Sequence, residues 1–407
     1  MFKKIFLVLT LILVLGIIVY CVFSYGKSQE RDNNKQSNVE DVVEEVDNPL
    51  KGAEKENIDI PKYLVDNGIF FDYYVASYKK LSTLTIEEKV GQLILARCPQ
   101  KDAIASITNY KLGGFVLFEE DFKNKTSDAV VSIINGYQNV SSIPMIIAVD
   151  EEGGTVVRIS NNPNLANKKF QSAQSIYKSG GLKAIQEDTL KKAEILKNLK
   201  INVNLAPVAD VSLEPSDYIY KRTLGKSAEE TGKYVSEVVK TMQSSGLSST
   251  LKHFPGYGDN VDTHKGMSID KRPYNTFKKS DFIPFIDGIN AGVESILVCH
   301  NIVEAMDTSF PASLSPSVHQ VLRKDLNFTG VVMTDDLSMD AIKEYTKNIN
   351  PAIKAVLAGN DMLIMTNFEE GYNSILEAVS TGVISQEQIN KAVFKVLAWK
   401  YYMKILK

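Results

Sequence analysis

Several things are scarce in this chain, and each scarcity closes a door. Basic excess is missing: 46 Lys and Arg stand against 49 Asp and Glu, for a net charge of −3. The chain therefore lacks the electrostatic footprint of a nucleic-acid binder. The three cysteines, Cys21, Cys98 and Cys299, lie far apart, which supplies neither a disulfide framework nor a metal motif. No cluster of ligating residues implies a metal, and nothing in the pattern calls for a cofactor. No Gly-x-Gly-x-x-Gly follows an early strand-like run, which counts against the main structural competitor, a doubly wound open sheet. Histidine is also rare, with four in 407 residues. Two of them, His253 and His264, fall inside residues 251–267.

What is present is enough apolar material, 44% of the chain, for one large core or two ordinary ones. Residues 5–23 form an uncharged apolar run behind Lys3 and Lys4, and about 20 such residues cross a bilayer as a helix. The favoured reading of residues 1–26 is a retained transmembrane anchor. A cleaved secretory signal ending near Ser24, Tyr25 and Gly26, or lipidation at Cys21, would serve the same export. Residues 27–57 are rich in Asn, Asp, Glu and Lys and poor in aromatics, so they bury too little apolar surface to offset ordering entropy; the reading is a disordered tether. Residues 58–407 are expected to form one catalytic domain.

In that domain short β-rich apolar runs alternate with helical patterns, the signature of βα units around a parallel sheet. Eight runs qualify: 91–98, 113–119, 144–150, 201–209, 248–254, 295–300, 330–334 and 361–366. Eight in series predict an α/β fold of the (β/α)₈ TIM-type barrel. Helix starts show as Thr85-x-x-Glu88 and Ser227-x-x-Glu230, the second opening a helix to about Gly246, with further helices over 184–199, 281–291, 350–359, 369–380 and 385–404. Little sequence follows the eighth unit.

A barrel of this kind gathers its chemistry at the carboxyl ends of the strands. Asp150 follows the third run, Arg222 the fourth and Asp335 the seventh, while Lys252 and His253 close the fifth. Gly256 and Gly258 then release the backbone into a loop bearing Asp262 and His264. Asp335 and Asp336 are adjacent carboxylates that point in different directions, so only one faces the axis. The alternative for Thr334, Asp335 and Asp336 is that they cap the next helix.

The stretch LKHFPGYGDNVDTHKGM at 251–267 resembles the signature of bacterial β-N-acetylglucosaminidases of glycoside hydrolase family 3, where KHFPG precedes a loop with Asp-Ser-His or Asp-Thr-His. AVDEEGGTVVR at 148–158, RTLG at 222–225 and VVMTDDLSM at 331–339 extend the resemblance, in the family's order, from about residue 80. It implies that Asp335 is the nucleophile and forms a glycosyl-enzyme intermediate. It implies that His264 is the general acid/base, a role that an imidazole with a reference pKa near 6.5 suits, with Asp262 orienting its ring. Asp150, Arg158, Arg222, Lys252 and His253 would form the sugar pocket, and the glycine-bounded loop would swing over bound sugar. Glu151 and Glu152 read as structural or supporting. His300 either lines the pocket or is a hydrogen-bonded structural histidine, and His319 sits in a helical surface pattern with no role assigned. Tyr257 departs from the histidine common in the family at this place, which puts fine specificity in question.

The function so implied is an exo-acting, retaining β-N-acetylglucosaminidase that releases terminal non-reducing N-acetylglucosamine from peptidoglycan-derived fragments at the extracytoplasmic face of the membrane. Three competitors stay open: a phosphorylase, another family 3 β-glycosidase, and a wall-sugar-binding protein without turnover.

Overall fold

The computed structural model describes residues 58–260, 268–346 and 350–407, apart from the side chains at 340, 343 and 344. The anchor and tether readings and the Asp262/His264 pair lie outside the described residues.

All eight expected runs are strands: β1 Ile94–Arg97, β2 Gly114–Leu117, β3 Ile146–Val149, β4 Val203–Asn204, β5 Ser248–Phe254, β6 Ser295–Val298, β7 Val331–Thr334 and β8 Leu363–Met365. They pair in parallel in the order β8-β1-β2-β3-β4-β5-β6-β7. The two ends of this sheet meet, because Met333 bridges Met362 and the Thr334 amide donates to the Met362 carbonyl at 3.2 Å. The result is an eight-stranded parallel barrel, closed at that seam by this short contact. Nearly every strand residue is buried, as expected of strands covered on both faces, and this is why they read as continuous apolar runs rather than alternating ones.

Helices follow the strands and start where side chains satisfy orphan amides. Thr85 and Ser385 form complete capping boxes with Glu88 and Gln388. Ser227 accepts from the Glu230 amide at 3.3 Å and opens Ala228–Ser244. Helices also stand at Phe282–Asn290, Pro351–Ala358, Phe368–Ser380 and Gln386–Tyr402, close to the expected bounds. The helix expected from 184 instead covers Ala173–Asn198, broken at Gly180 and Gly181, where Gly181 takes φ +62°. Ser127–Val140 escaped notice because only Val130 and Ile134 bury on it and its β-branched residues favour strands.

His319 requires a correction. It is buried rather than on a surface, on Pro316–Gln320, where its ring lies against Gly359, which offers no side chain, and Nδ1 sits 2.8 Å from the Ser315 carbonyl. Burial lowers its pKa.

The last helix seals the amino-terminal end of the barrel. Trp399, fully buried, donates its indole N–H to Ser248 Oγ at 2.8 Å, and Lys400, also fully buried, gives Nζ to Gln92 Oε1 at 2.6 Å. Burial alone pushes the Lys400 amine down to about 7. Across the base, Glu294 is buried against the Ser249 amide and hydroxyl at 3.1 Å each, and desolvation raises it to about 7. Among the described residues no helix is long and apolar enough to cross a membrane.

Candidate active site

At the carboxyl end of the strands a cavity of about 490 Å³ is lined by Asp150, Arg158, Arg222, Lys252, His253 and Asp335, together with other side chains. Every site residue expected from sequence that lies within the described residues faces this space. They come from β3, the segment after β4, β5 and β7, so the barrel itself sets their spacing.

The centre is an ion-pair network. Lys252 Nζ lies 2.6 Å from Asp150 Oδ1 and 2.7 Å from Glu152 Oε1. Arg222 grips Glu152 with two donors, Nη2 at 2.7 Å and Nε at 3.0 Å. Arg158 Nη2 stands 3.6 Å from Asp150 Oδ2. Burial opposes charge on Glu152, but Arg222 and Lys252 outweigh it and hold the carboxyl far below the usual range. The same contest pushes Arg222 up, since Glu152 outweighs its desolvation. Glu152 thus stands behind the pocket and aims two cations into it. Glu151 is structural, its carboxylate accepting from the amides of Arg158, Ile159 and Ser160 at 2.7, 2.8 and 3.3 Å, which fixes the turn that presents Arg158. The turn needs Gly153 and Gly154, at φ +103° and +66°.

Asp335 follows β7, its amide donating to the Val298 carbonyl at 3.0 Å. Asp336 is engaged elsewhere. It accepts from the Ser338 and Thr366 amides at 2.9 and 3.1 Å and from the Thr366 hydroxyl at 2.5 Å, so it ties the turn to the end of β8. The next helix, Asp340–Tyr345, has Met339 at its cap, so neither aspartate caps it. His300 proves structural: Nε2 lies 3.0 Å from the Asp336 carbonyl and Nδ1 2.7 Å from Ser313 Oγ, bracing the segment that carries Asp335.

Sequence reasoning passed over Asp210. This buried carboxylate accepts from the His253 amide at 3.1 Å and the Tyr257 amide at 2.7 Å, and His253 Nδ1 lies 2.7 Å from it. The available signal was its place directly after the fourth apolar run. Tyr257 is buried behind the pocket, its ring 5.5 Å from that of His253. Also unforeseen is a brace that joins Gly256 and Asn260 to Asp270, Arg272 and Asp281. Asn260 Nδ2 donates to Asp270 Oδ2 at 2.7 Å, and Arg272 spans Asp270 and Asp281 and reaches the Gly256 carbonyl at 3.3 Å. Burial raises Asp281 to about 6 even though Arg272 pulls the other way.

The rim is basic. Arg97 lies over the Phe118 ring at 4.3 Å and 3.9 Å from Glu120 on the surface, and Lys221 lines the same mouth. Among the described residues no group of three or more His, Cys, Asp or Glu is placed to hold a metal ion. The arrangement suits a polyol: carboxylate and cations for hydroxyls, and two further acidic residues, Asp335 and Asp336, on the wall, of which Asp336 is held by Ser338 and Thr366.

Comparison with known proteins agrees with this picture. The family described as Glycosyl hydrolase family 3 N terminal domain matches residues 85–399. Beta-hexosaminidase A of Pseudoalteromonas piscicida is 29% identical over 325 residues, covering 72% of this chain and 54% of that protein. Beta-hexosaminidase of Photobacterium profundum is 31% identical over 279 residues, covering 66% of this chain and 78% of its own. Among solved structures, a glycoside hydrolase family 3 beta-N-acetylglucosaminidase from Paenibacillus sp. superposes with a TM-score of 0.74 at 29% identity, over 79% of this chain and 63% of that one. The chain thus spans little more than half of the Pseudoalteromonas protein and under two thirds of the Paenibacillus one.

Proposed function

Because this chain belongs to glycosyl hydrolase family 3, we propose that it is an exo-acting, retaining β-N-acetylglucosaminidase. The observation that carries the reading is one cavity, at the carboxyl end of the barrel, shared by Asp335 and the Asp150, Lys252 and Arg222 network. Asp150, Arg158, Arg222, Lys252 and His253 hold the hydroxyls of a terminal sugar, and Asp335 attacks its anomeric carbon. The C–O bond to the leaving group breaks as His264 gives that oxygen a proton; His264 then takes a proton from water, whose oxygen displaces Asp335 and releases the sugar. Asp262 orients the imidazole.

The substrate is a peptidoglycan-derived fragment with N-acetylglucosamine at its non-reducing end. The beta-hexosaminidase relatives support the sugar, and the cationic rim at Arg97 and Lys221 supports a leaving group that bears a carboxylate. The apolar run at 5–23 supports anchorage that holds the catalytic domain outside the cytoplasm, on the tether at 27–57.

Hydrolysis of an N-acetylglucosaminyl muropeptide and of a chromogenic N-acetylglucosaminide by wild type, Asp335→Asn and His264→Ala tests the chemistry. Asp335→Asn lowers kcat on both by about 10³-fold or more. His264→Ala costs about 10²–10⁴-fold on the muropeptide and least on the activated phenolic glycoside, whose leaving group needs little protonation. Equal losses on the two substrates would remove His264 as proton donor. Product formation that required phosphate would make the enzyme a phosphorylase, and binding without release would leave a sugar receptor.

A further inference from the structure

Histidine 253 sits between two groups of opposite hydrogen-bonding character. Asp210, an acceptor on both oxygens, is 2.7 Å from Nδ1; Arg222, a donor at every nitrogen, has Nη2 3.1 Å from Nε2. A carboxylate that already accepts backbone amides on both oxygens on one side, and a guanidinium on the other, allow one arrangement of the ring: Nδ1 carries the hydrogen and gives it to Asp210, and Nε2 presents its lone pair toward Arg222 and the cavity. The opposite tautomer would set a lone pair against Asp210 and an N–H against Arg222. Asp210 is itself immobilised, because the same carboxylate takes the backbone amides of His253 and Tyr257 and its neighbour is tied to β5, the Ala209 amide donating to the Lys252 carbonyl at 2.7 Å.

From this geometry we infer that Asp210 is a positioning residue for sugar recognition, which fixes His253 as a hydrogen-bond acceptor toward substrate. The inference rests on the reading of the cavity as the sugar site. In the bound complex a sugar hydroxyl donates its hydrogen to His253 Nε2, taking the place of the Arg222 N–H. The site therefore requires a hydrogen at that hydroxyl, and an isosteric fluorine, which cannot donate, is rejected. If Asp210 served only to cap the backbone turn at 253–257, that selectivity would survive Asp210→Asn.

Two measurements on the unmodified enzyme test this, with one variant used to assign a signal and another as a control. The ring-nitrogen NMR spectrum of the ¹⁵N-histidine-labelled protein is simple, since the chain has four histidines. The His253 signals, assigned by their loss in His253→Gln, show the Nδ1-protonated tautomer in the free enzyme. In a series of 3-, 4- and 6-fluoro N-acetylglucosaminides, one analogue loses about tenfold or more in kcat/KM against the parent, the cost of one unmade hydrogen bond in a dry site. Asp210→Asn, which can turn an amide donor toward Nδ1, moves the hydrogen to Nε2, raises KM more than it lowers kcat, and removes the discrimination against that one analogue. A wild-type spectrum with the hydrogen on Nε2 overturns the inference, as does equal tolerance of all three fluorinated sugars. Should the enzyme turn over no glycoside at all, the functional reading fails while the NMR result still decides the tautomer.

Discussion

Replacing Glu152 with glutamine tests whether the pocket is held together from behind. The carboxylate receives Arg222 at 2.7 and 3.0 Å and Lys252 at 2.7 Å, and it is almost wholly buried. Glutamine keeps the size and one acceptor but removes the charge, leaving Arg222 without a carboxylate and Lys252 with Asp150 alone. Stripping one partner from a buried pair costs about 3–5 kcal/mol, because the surviving charge stays desolvated. For roughly 350 ordered residues at about 2.1 cal/mol/K each, that is a fall in Tm of roughly 4–7 °C at pH 7. The pH dependence has a definite sign. The folded-state pKa of Glu152 is depressed, so its contribution is present above the unfolded carboxyl value and fades as pH falls through and below it. Differential scanning calorimetry at pH 7 and near pH 3 should therefore find the gap between wild type and Glu152→Gln narrowing in acid. KM should rise about tenfold as the two cations lose their aim. A variant that melts within about 1 °C of wild type at pH 7, with unchanged KM, would show that Glu152 holds nothing.

Three further changes separate recognition from stability. Arg97→Ala should lower kcat/KM about three- to tenfold for a fragment whose leaving group carries a carboxylate and leave a neutral chromogenic glycoside untouched, since Arg97 stands at the mouth beside Phe118; equal effects on both would detach it from the leaving group. Lys400→Met should stabilise the protein. The buried amine, pushed down to about 7, penalises folding by at most roughly 4–5 kcal/mol at neutral pH, and orphaning Gln92 Oε1 returns about 1–3 of that. Wild-type stability should gain a rising component between about pH 7 and 10.5, where the unfolded chain binds the extra proton, and urea titrations across that window should show it missing in the variant. Glu294→Gln should act in the opposite sense. With the carboxyl raised to about 7, its share of stability falls as pH climbs from about 4.5 to 7, and the variant should gain up to about 3 kcal/mol at pH 7 over its difference from wild type at pH 4. Unfolding that is indifferent to pH in these ranges would mean that both groups ionise as though exposed.

How far the sequence could be read depended on whether a feature is written locally. A barrel strand covered on both faces is buried along its length and mostly apolar, so β1 to β8 announce themselves one at a time, and a residue at the end of such a run lies at the active end whatever its neighbours are. That rule found Asp150, Lys252, His253 and Asp335, while Arg222, farther past its run, stood out through the RTLG motif. Applied evenly it would also have reached Asp210, which directly follows the fourth run and was passed over because a lone aspartate after Pro-Val-Ala looks like any turn residue. Partnerships are different, being nonlocal: Glu152 with Arg222 spans 70 residues, and Lys252 with Asp150 spans 102. Nothing in the letters distinguishes a glutamate that aims two cations from one that meets water. His319 failed for the same reason, since burial beside Gly359 is decided by a residue 40 positions away. The strands thus set where side chains gather, while the charges around them set what each one does. His253 illustrates the second step: a histidine at that place can donate or accept, and it is Asp210, from the segment after β4, that decides between the two.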